Sequence, residues 1–62
     1  MKERLIRIKE VMELTGKSRS AIYADMTKDI FPKSILIGAR TAAWQLTAIE
    51  QWIQNKIKLA GH

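Results

Sequence analysis

The side chains best suited to chemistry are hydrogen-bonding groups, and most of them lie between residues 17 and 28. An arginine can donate two hydrogen bonds to O6 and N7 of a guanine, and hydroxyl groups can bond to base edges. Lysine, serine and tyrosine side chains also bind phosphate oxygens, as do the free N–H groups of a helix N-terminus. These types favour nucleic-acid contacts. The candidates are Lys17, Ser18, Arg19, Ser20, Tyr23, Thr27 and Lys28, with Arg40 and Thr41 in a later turn.

The composition offers little support for catalysis. The chain has no cysteine, and its single histidine, His62, is the last residue. Its carboxylates form no recognisable pair for acid–base work, and no glycine-rich phosphate loop is present. We therefore expect no enzyme activity, no metal site and no cofactor.

The charge balance favours a polyanionic partner. The 62 residues include 11 Lys and Arg against 6 Asp and Glu, which gives a net charge of +5. A small basic domain is a candidate for nucleic-acid binding, although basic surfaces also serve solubility alone. No apolar run approaches the roughly 18 residues of a membrane span, and the N-terminus lacks the apolar core of a secretory signal. We expect a cytoplasmic protein that contacts no membrane.

Two short amphipathic helices joined by a tight turn are predicted in the first half of the chain. The first spans about residues 8–15 and ends at Gly16, which can adopt the left-handed conformation without steric cost. Ser18 can cap the second helix, about 19–28, by accepting a hydrogen bond from an early backbone N–H. This is a helix-turn-helix. The polar outer face of its second helix suits base recognition, but any surface helix has such a face.

A β-hairpin and a third helix are predicted in the second half. Residues 35–37 are rich in β-branched side chains, 38–40 have turn character, and 41–44 can return as a second strand. Thr47 followed by Glu50 fits a capping box at the start of the last helix. Residues 5–8 leave two alternatives open, an edge strand or an extended lead into the first helix.

The chain is expected to form one domain over residues 1–62, mainly α-helical with a small β-hairpin. The order helix, helix, hairpin, helix is the layout of a winged helix-turn-helix. Both tryptophans are assigned to the core rather than to base stacking, because aromatic residues at structural spacing usually supply burial. The predicted core is Leu5, Ile8, Val11, Leu14, Ile22, Met26, Phe31, Trp44, Ile49, Trp52, Ile53 and Ile57.

Three segments of the chain resemble the AlpA family of prophage-associated regulators. They read LIRIKEVMELTGKSRSAIY, FPKSILIGARTAAW and IEQWI, and the resemblance covers about residues 5–53. It implies a small winged-helix DNA-binding transcriptional regulator of a prophage or integrated element, similar to phage excisionases and related to the MerR-like group. The recognition helix, about 19–28, would enter the major groove, and the wing, about 38–41, would follow the backbone or minor groove. The matching positions are Ser18, Arg19, Ser20 and Tyr23 in the helix and Arg40 in the wing.

The chain departs from the family pattern at three positions. Ala24 stands where relatives often carry a basic residue, which removes one expected DNA contact. Ala39 replaces the second glycine of a Gly-Gly-Arg turn, so the turn geometry is in question. Leu36 occupies an outer strand position that is commonly polar, and an exposed leucine there suits either a protein contact or a lone surface side chain.

Other functions stay open at this stage. An excisionase-type architectural factor would bind and bend double-stranded DNA and assist a recombinase rather than the transcription machinery. A small protein-interaction adaptor, docking through Leu36 and the last helix, would be of a different class. A homodimer or cooperative binding of tandem copies is plausible, because one helix-turn-helix of this size reads only a few base pairs.

Overall fold

The computed structural model describes residues 4–60. Within these residues, three helices and three short strands form a winged helix-turn-helix, so the predicted fold class is confirmed. The elements are β1 (Leu5–Ile6), α1 (Ile8–Thr15), α2 (Arg19–Thr27), β2 (Ile35–Leu36), β3 (Ala42–Gln45) and α3 (Leu46–Ala60).

The turn between α1 and α2 follows the predicted local signals. Gly16 has a φ of 75°, in the left-handed region, and its N–H bonds to the carbonyl oxygen of Met12. Ser18 is the N-cap of α2, where its Oγ accepts a hydrogen bond of 3.2 Å from the N–H of Ala21. Because the two caps, Gly16 and Ser18, are two positions apart, α1 and α2 are joined by a connection of only three residues.

Helix α2 ends in a Schellman motif that the sequence reading did not anticipate. Asp29 has a φ of 59°, the left-handed conformation. Its N–H bonds to the carbonyl of Met26, and the N–H of Ile30 bonds to the carbonyl of Asp25. Lys33 adds a third contact, since its Nζ lies 2.9 Å from the Met26 carbonyl and 2.8 Å from the Asp29 carboxylate. Backbone N–H groups and the Lys33 side chain therefore both bond to the carbonyl groups at the C-terminus of α2.

The strands form a single antiparallel sheet with β3 in the middle and the order β1-β3-β2. Ile6 lies opposite Trp44, and Ile35 lies opposite Ala43. The open question about residues 5–8 is thus settled in favour of an edge strand. Helix α3 begins at Leu46, directly after β3 and one residue before the predicted cap at Thr47.

The core lies between the sheet and the three helices. Its fully buried large side chains are Trp44, Ile6, Ile22, Ile49 and Val11, with Phe31 and Ala43 also buried. Partly buried side chains surround them. Four of these were predicted core residues: Ile8, Met26, Trp52 and Ile53. The others are Met12, Leu46 and Ala42.

Three predicted core residues were wrong, because each is substantially exposed. Leu5 is 44% exposed, Leu14 45% and Ile57 57%. Strand alternation explains the first, since pairing with β3 turns Ile6 inward and Leu5 outward. Leu14 lies one position from the end of α1, and Ile57 lies beyond the last buried residue of α3, so the globule does not extend far enough to cover either.

Candidate nucleic-acid interface

The N-terminus of α2 presents several of the predicted contact residues together. Arg19 is the first residue of the helix, Ser20 the second, and both are exposed. The guanidinium of Arg19 has no hydrogen bond or ion pair with any of residues 4–60, so it is available to a ligand. No acidic residue lies in the first turn of α2. The positive end of the helix dipole is therefore uncompensated there.

Ser18 is both the predicted N-cap of α2 and a predicted contact residue. Its Oγ accepts the Ala21 N–H and lies 3.5 Å from the Oγ of Ser20. The hydroxyl can still donate its own proton to a phosphate while it caps the helix. A contact from Ser18 would therefore couple helix capping to ligand binding.

The remaining candidates of α2 lie along its length and at its end. The ring of Tyr23 packs against Trp44 with a centroid distance of 6.2 Å, which ties α2 to β3, and the side chain is 41% exposed. Thr27 donates a hydrogen bond of 2.6 Å to the carbonyl of Ala24, so its hydroxyl is partly committed to its own helix. Lys28 is the exposed C-cap.

The wing turn presents Arg40 on an exposed bend between β2 and β3. The N–H of Ile37 bonds to the carbonyl of Thr41 at 2.8 Å and closes the turn. Neither Gly38 nor Ala39 has a positive φ, so the turn does not require glycine at the position where Ala39 departs from the family pattern. Arg40 has no hydrogen bond or ion pair to the described part of the chain.

Lys17 differs from the other candidates because it is already paired. Its Nζ lies 2.7 Å from Oδ2 of Asp25, and the two side chains are only 25% and 18% exposed. The hydrogen bond from Lys17 lowers the pKa of the Asp25 carboxyl, and the positive charges of Lys28 and Lys56 act in the same direction against partial burial. Asp25 is thus an ionised carboxylate beside the predicted interface.

Sequence reasoning missed Asp25 and Lys56, and no local signal could have identified them. Lys17 lies in the turn, and Asp25 follows eight positions later in α2, beyond the range of helical spacing rules. Lys56 comes from α3, and its Nζ lies 5.3 Å from the centroid of the Trp52 ring. The structure therefore adds an ion pair and a tryptophan face beside α2.

Other kinds of site find no support in the described residues. Within residues 4–60, no three His, Cys, Asp or Glu side chains gather in a way that could hold a metal ion. No helix of that range combines the length and the apolar character needed to cross a membrane.

Leu36 is 73% exposed on β2, with Ile35 and Ile37 also exposed beside it.

Comparison with known proteins connects this geometry to a family. The family profile described as Prophage CP4-57 regulatory protein (AlpA) matches residues 4–57. A protein of Enterobacteria phage P4, named "Uncharacterized protein ORF88", is 38% identical over 55 residues, which are 89% of this chain and 62% of that protein. The "DNA-binding transcriptional activator AlpA" of Escherichia coli strain K12 is 27% identical over 62 residues, 90% of this chain and 89% of that protein. The chain thus spans less than two thirds of the phage P4 relative. Because the family profile covers most of the described residues, the chain belongs to the AlpA family of prophage regulatory proteins.

Proposed function

We propose that the protein is a sequence-specific DNA-binding transcriptional regulator of a prophage or other integrated element. Helix α2 lies in the major groove, and the wing at residues 38–41 follows the backbone or the minor groove. Family membership supports a regulatory role, and the E. coli relative is named a DNA-binding activator. The net charge of +5 supports a polyanionic ligand.

One observation carries the proposal: two unpaired arginines stand at the two places where a winged helix-turn-helix meets DNA. Arg19 begins α2, and Arg40 tips the wing. The N-terminal residues of a recognition helix are the ones that reach base edges. An α-helix with its side chains is about 10–12 Å across, which fits the roughly 12 Å width of the major groove. We therefore assign base reading to Arg19 and Ser20.

The other predicted contacts serve mainly to position the helix. Ser18 and the free N–H groups at the start of α2 bind a phosphate on one side of the groove, and Tyr23 reaches another through its hydroxyl. Thr27, Lys28 and Thr41 extend the contact along the backbone. Lys17 can add to these contacts only if it leaves Asp25.

An architectural role on DNA is the second candidate, and the described surface favours it in one respect. Of the residues at the start of α2, only Arg19 and Ser20 are assigned to base edges. Two such side chains can specify only a few base pairs. A factor with so short a reading surface gains from cooperative binding at adjacent sites. Bending of DNA and a dependence of cooperativity on DNA length would identify this role.

The experiment that tests the proposal measures binding to fragments of the DNA that flanks the protein's own coding region. Each fragment competes with a scrambled duplex at two salt concentrations, with wild type and with Arg19→Ala. Arg4→Ala serves as the matched control, because it removes the same charge from an arginine that is already paired with Glu10 at 3.1 Å. We expect one preferred fragment, and we expect Arg19→Ala to lose that preference while Arg4→Ala keeps it.

The alternative results discriminate between the functions. Tight, salt-sensitive binding without preference would favour the architectural role. Unchanged specific and non-specific affinity in Arg19→Ala would remove α2 as the reading element. No binding of wild type at low salt would contradict DNA binding altogether and leave the protein-interaction adaptor.

A further inference from the structure

The ion pair between Lys17 and Asp25 occupies the cationic side chain that directly precedes the N-cap of α2. Lys17 immediately precedes Ser18, the N-cap of α2, and so stands at the entrance to the proposed phosphate site. Its ammonium is 2.7 Å from the Asp25 carboxylate rather than in solvent. Surface pairs of this kind are often loose, but this one has both side chains more than two thirds covered.

Helix α3 holds the pair in place through Trp52. The Nζ of Lys17 lies 5.7 Å from the centroid of the Trp52 ring, within the range of a cation–π contact. The ring is itself fixed, because its Nε1 donates a hydrogen bond of 3.1 Å to the Ile30 carbonyl and Phe31 packs against it edge-on at 5.0 Å. Lys17 is therefore positioned by a carboxylate and an aromatic face together.

Three lysine side chains lie near the carboxylate of Asp25. Lys17 is in contact with it, and Lys28 and Lys56 lie near enough to lower its pKa. The carboxylate remains ionised at neutral pH and offsets part of the positive field on this side of α2. A phosphate drawn toward Lys17 therefore meets that negative charge as well.

We propose that Asp25 limits the sequence-independent attraction of the protein for DNA by neutralising Lys17 at the entrance to α2. The inference rests on the proposed DNA-binding function. Phosphate-directed lysines raise affinity for every sequence alike, whereas base contacts raise it for one. Asp25 removes one such lysine from the phosphate contacts and leaves Arg19 untouched.

The test is the salt dependence of binding to a random-sequence duplex by wild type and Asp25→Asn. Freeing one lysine adds one phosphate contact, so the slope of log affinity against log salt should steepen by about 0.9. Between 50 and 200 mM salt, Asp25→Asn should lose about 3.5-fold more affinity than wild type and should bind more tightly at the lower salt. An unchanged slope overturns the proposal.

Asp29→Asn provides the matched control. It removes the same charge from a carboxylate that is also paired with a lysine, Lys33, at 2.8 Å, but it lies beyond the end of α2 and is exposed. Asparagine also tolerates the left-handed conformation at this position. We expect its slope to match wild type. An equal steepening in both variants would mean that net charge alone is responsible, and it would overturn a specific role for Asp25.

A double variant tests whether Asp25 neutralises Lys17 or whether Lys17 contacts phosphate in the wild-type protein. Lys17→Met keeps an apolar side chain of similar length but leaves Asp25 unpaired, so it should bind any DNA more weakly than wild type. Adding Asp25→Asn to it removes the neutral pair as a unit and should restore wild-type affinity to within about twofold. If the double variant stays as weak as Lys17→Met, Lys17 itself contacts phosphate in wild type and the proposal is wrong.

These results stay separate from a failure of the proposed function. Wild type that binds no duplex at low salt contradicts DNA binding itself, whereas wild type that binds while the variants show no effect contradicts only the role of Asp25. Circular dichroism melts establish that each variant is folded at the assay temperature. Should Asp25→Asn alone not fold, the comparison of Lys17→Met with the double variant still decides the question.

Discussion

The indole nitrogen of Trp44 donates a hydrogen bond of 3.0 Å to the carbonyl oxygen of Pro32. Trp52 makes the corresponding bond of 3.1 Å to the carbonyl of Ile30. Two tryptophans, one from β3 and one from α3, thus hold the segment that connects α2 to the wing. This segment contains no helix or strand, so its position relative to α2 depends on these two bonds, on buried Phe31 and on the contacts that Lys33 makes with the end of α2.

Replacing Trp44 by Phe should destabilise the fold markedly. The substitution leaves the Pro32 carbonyl without its donor and shrinks a side chain that is fully buried, which together cost about 2 kcal/mol. For a domain of this size, the melting temperature should fall by about 10 °C. Trp52→Phe should cost less, about 1 kcal/mol, because Trp52 is only half-buried and water can replace its bond. Equal losses in thermal melts would contradict this ranking.

Replacing Gly16 by Ala should destabilise the protein through the backbone alone. A Cβ at this position would meet no atom within 4 Å, but the φ of +75° is unfavourable for alanine. The expected cost is about 1 kcal/mol. Gly16→Asn should cost less, since asparagine adopts this conformation more readily. A melting temperature unchanged in Gly16→Ala would show that the helix end relaxes to another conformation.

Replacing Ser18 by Asp should separate helix capping from DNA binding. An aspartate can accept the Ala21 N–H as serine does, and its charge suits the helix N-terminus, so stability should be kept. The same charge repels a phosphate and should weaken DNA binding. Ser18→Ala should instead lose about 1 kcal/mol of stability. Thermal melts and binding assays on both variants check this, and undiminished DNA binding by Ser18→Asp would place the phosphate elsewhere.

Replacing Arg40 by Ala should weaken DNA binding to all sequences by a similar factor. If Arg40 contacts the backbone, its loss should reduce the salt slope by about 0.9 and leave the sequence preference unchanged, whereas a minor-groove contact would change the sequence preference as well. Loss of Arg19, by contrast, should cost about 1–3 kcal/mol of discrimination at its base. Competition titrations at several salt concentrations measure both quantities. An Arg40→Ala variant that matches the Arg4→Ala control would remove the wing from the interface.

Protonation of Asp25 and Asp29 should lower the free energy of unfolding at low pH. Hydrogen bonds from Lys17 and Lys33 lower the pKa of these two carboxyls in the folded protein. The unfolded chain then binds more protons, so their stabilisation is present above about pH 4 and is lost as pH falls through the lowered values. Urea midpoints measured from pH 6 to pH 2 should fall less steeply in this range for the Asp25→Asn/Asp29→Asn double variant. Parallel curves would contradict the assignment.

The local elements of this protein were determined by the sequence alone. Helix α1 occupies the predicted residues, Gly16 ends it and Ser18 caps α2, because capping and left-handed glycine act within a few residues of one another. The hairpin and the last helix were likewise predicted to within one or two positions. The predicted contact residues at Arg19 and Arg40 are exposed in the structure, and their role on DNA stays a prediction.

Only the tertiary structure decided which side chains meet across the fold. Strand β1 forms because β3 offers a second free edge, and that pairing buries Ile6 instead of Leu5. The pairing of Lys17 with Asp25 likewise depends on the angle between two helices and on the position of Trp52. Contacts between residues far apart in the chain depend on how the elements pack, and no spacing within one element encodes that packing.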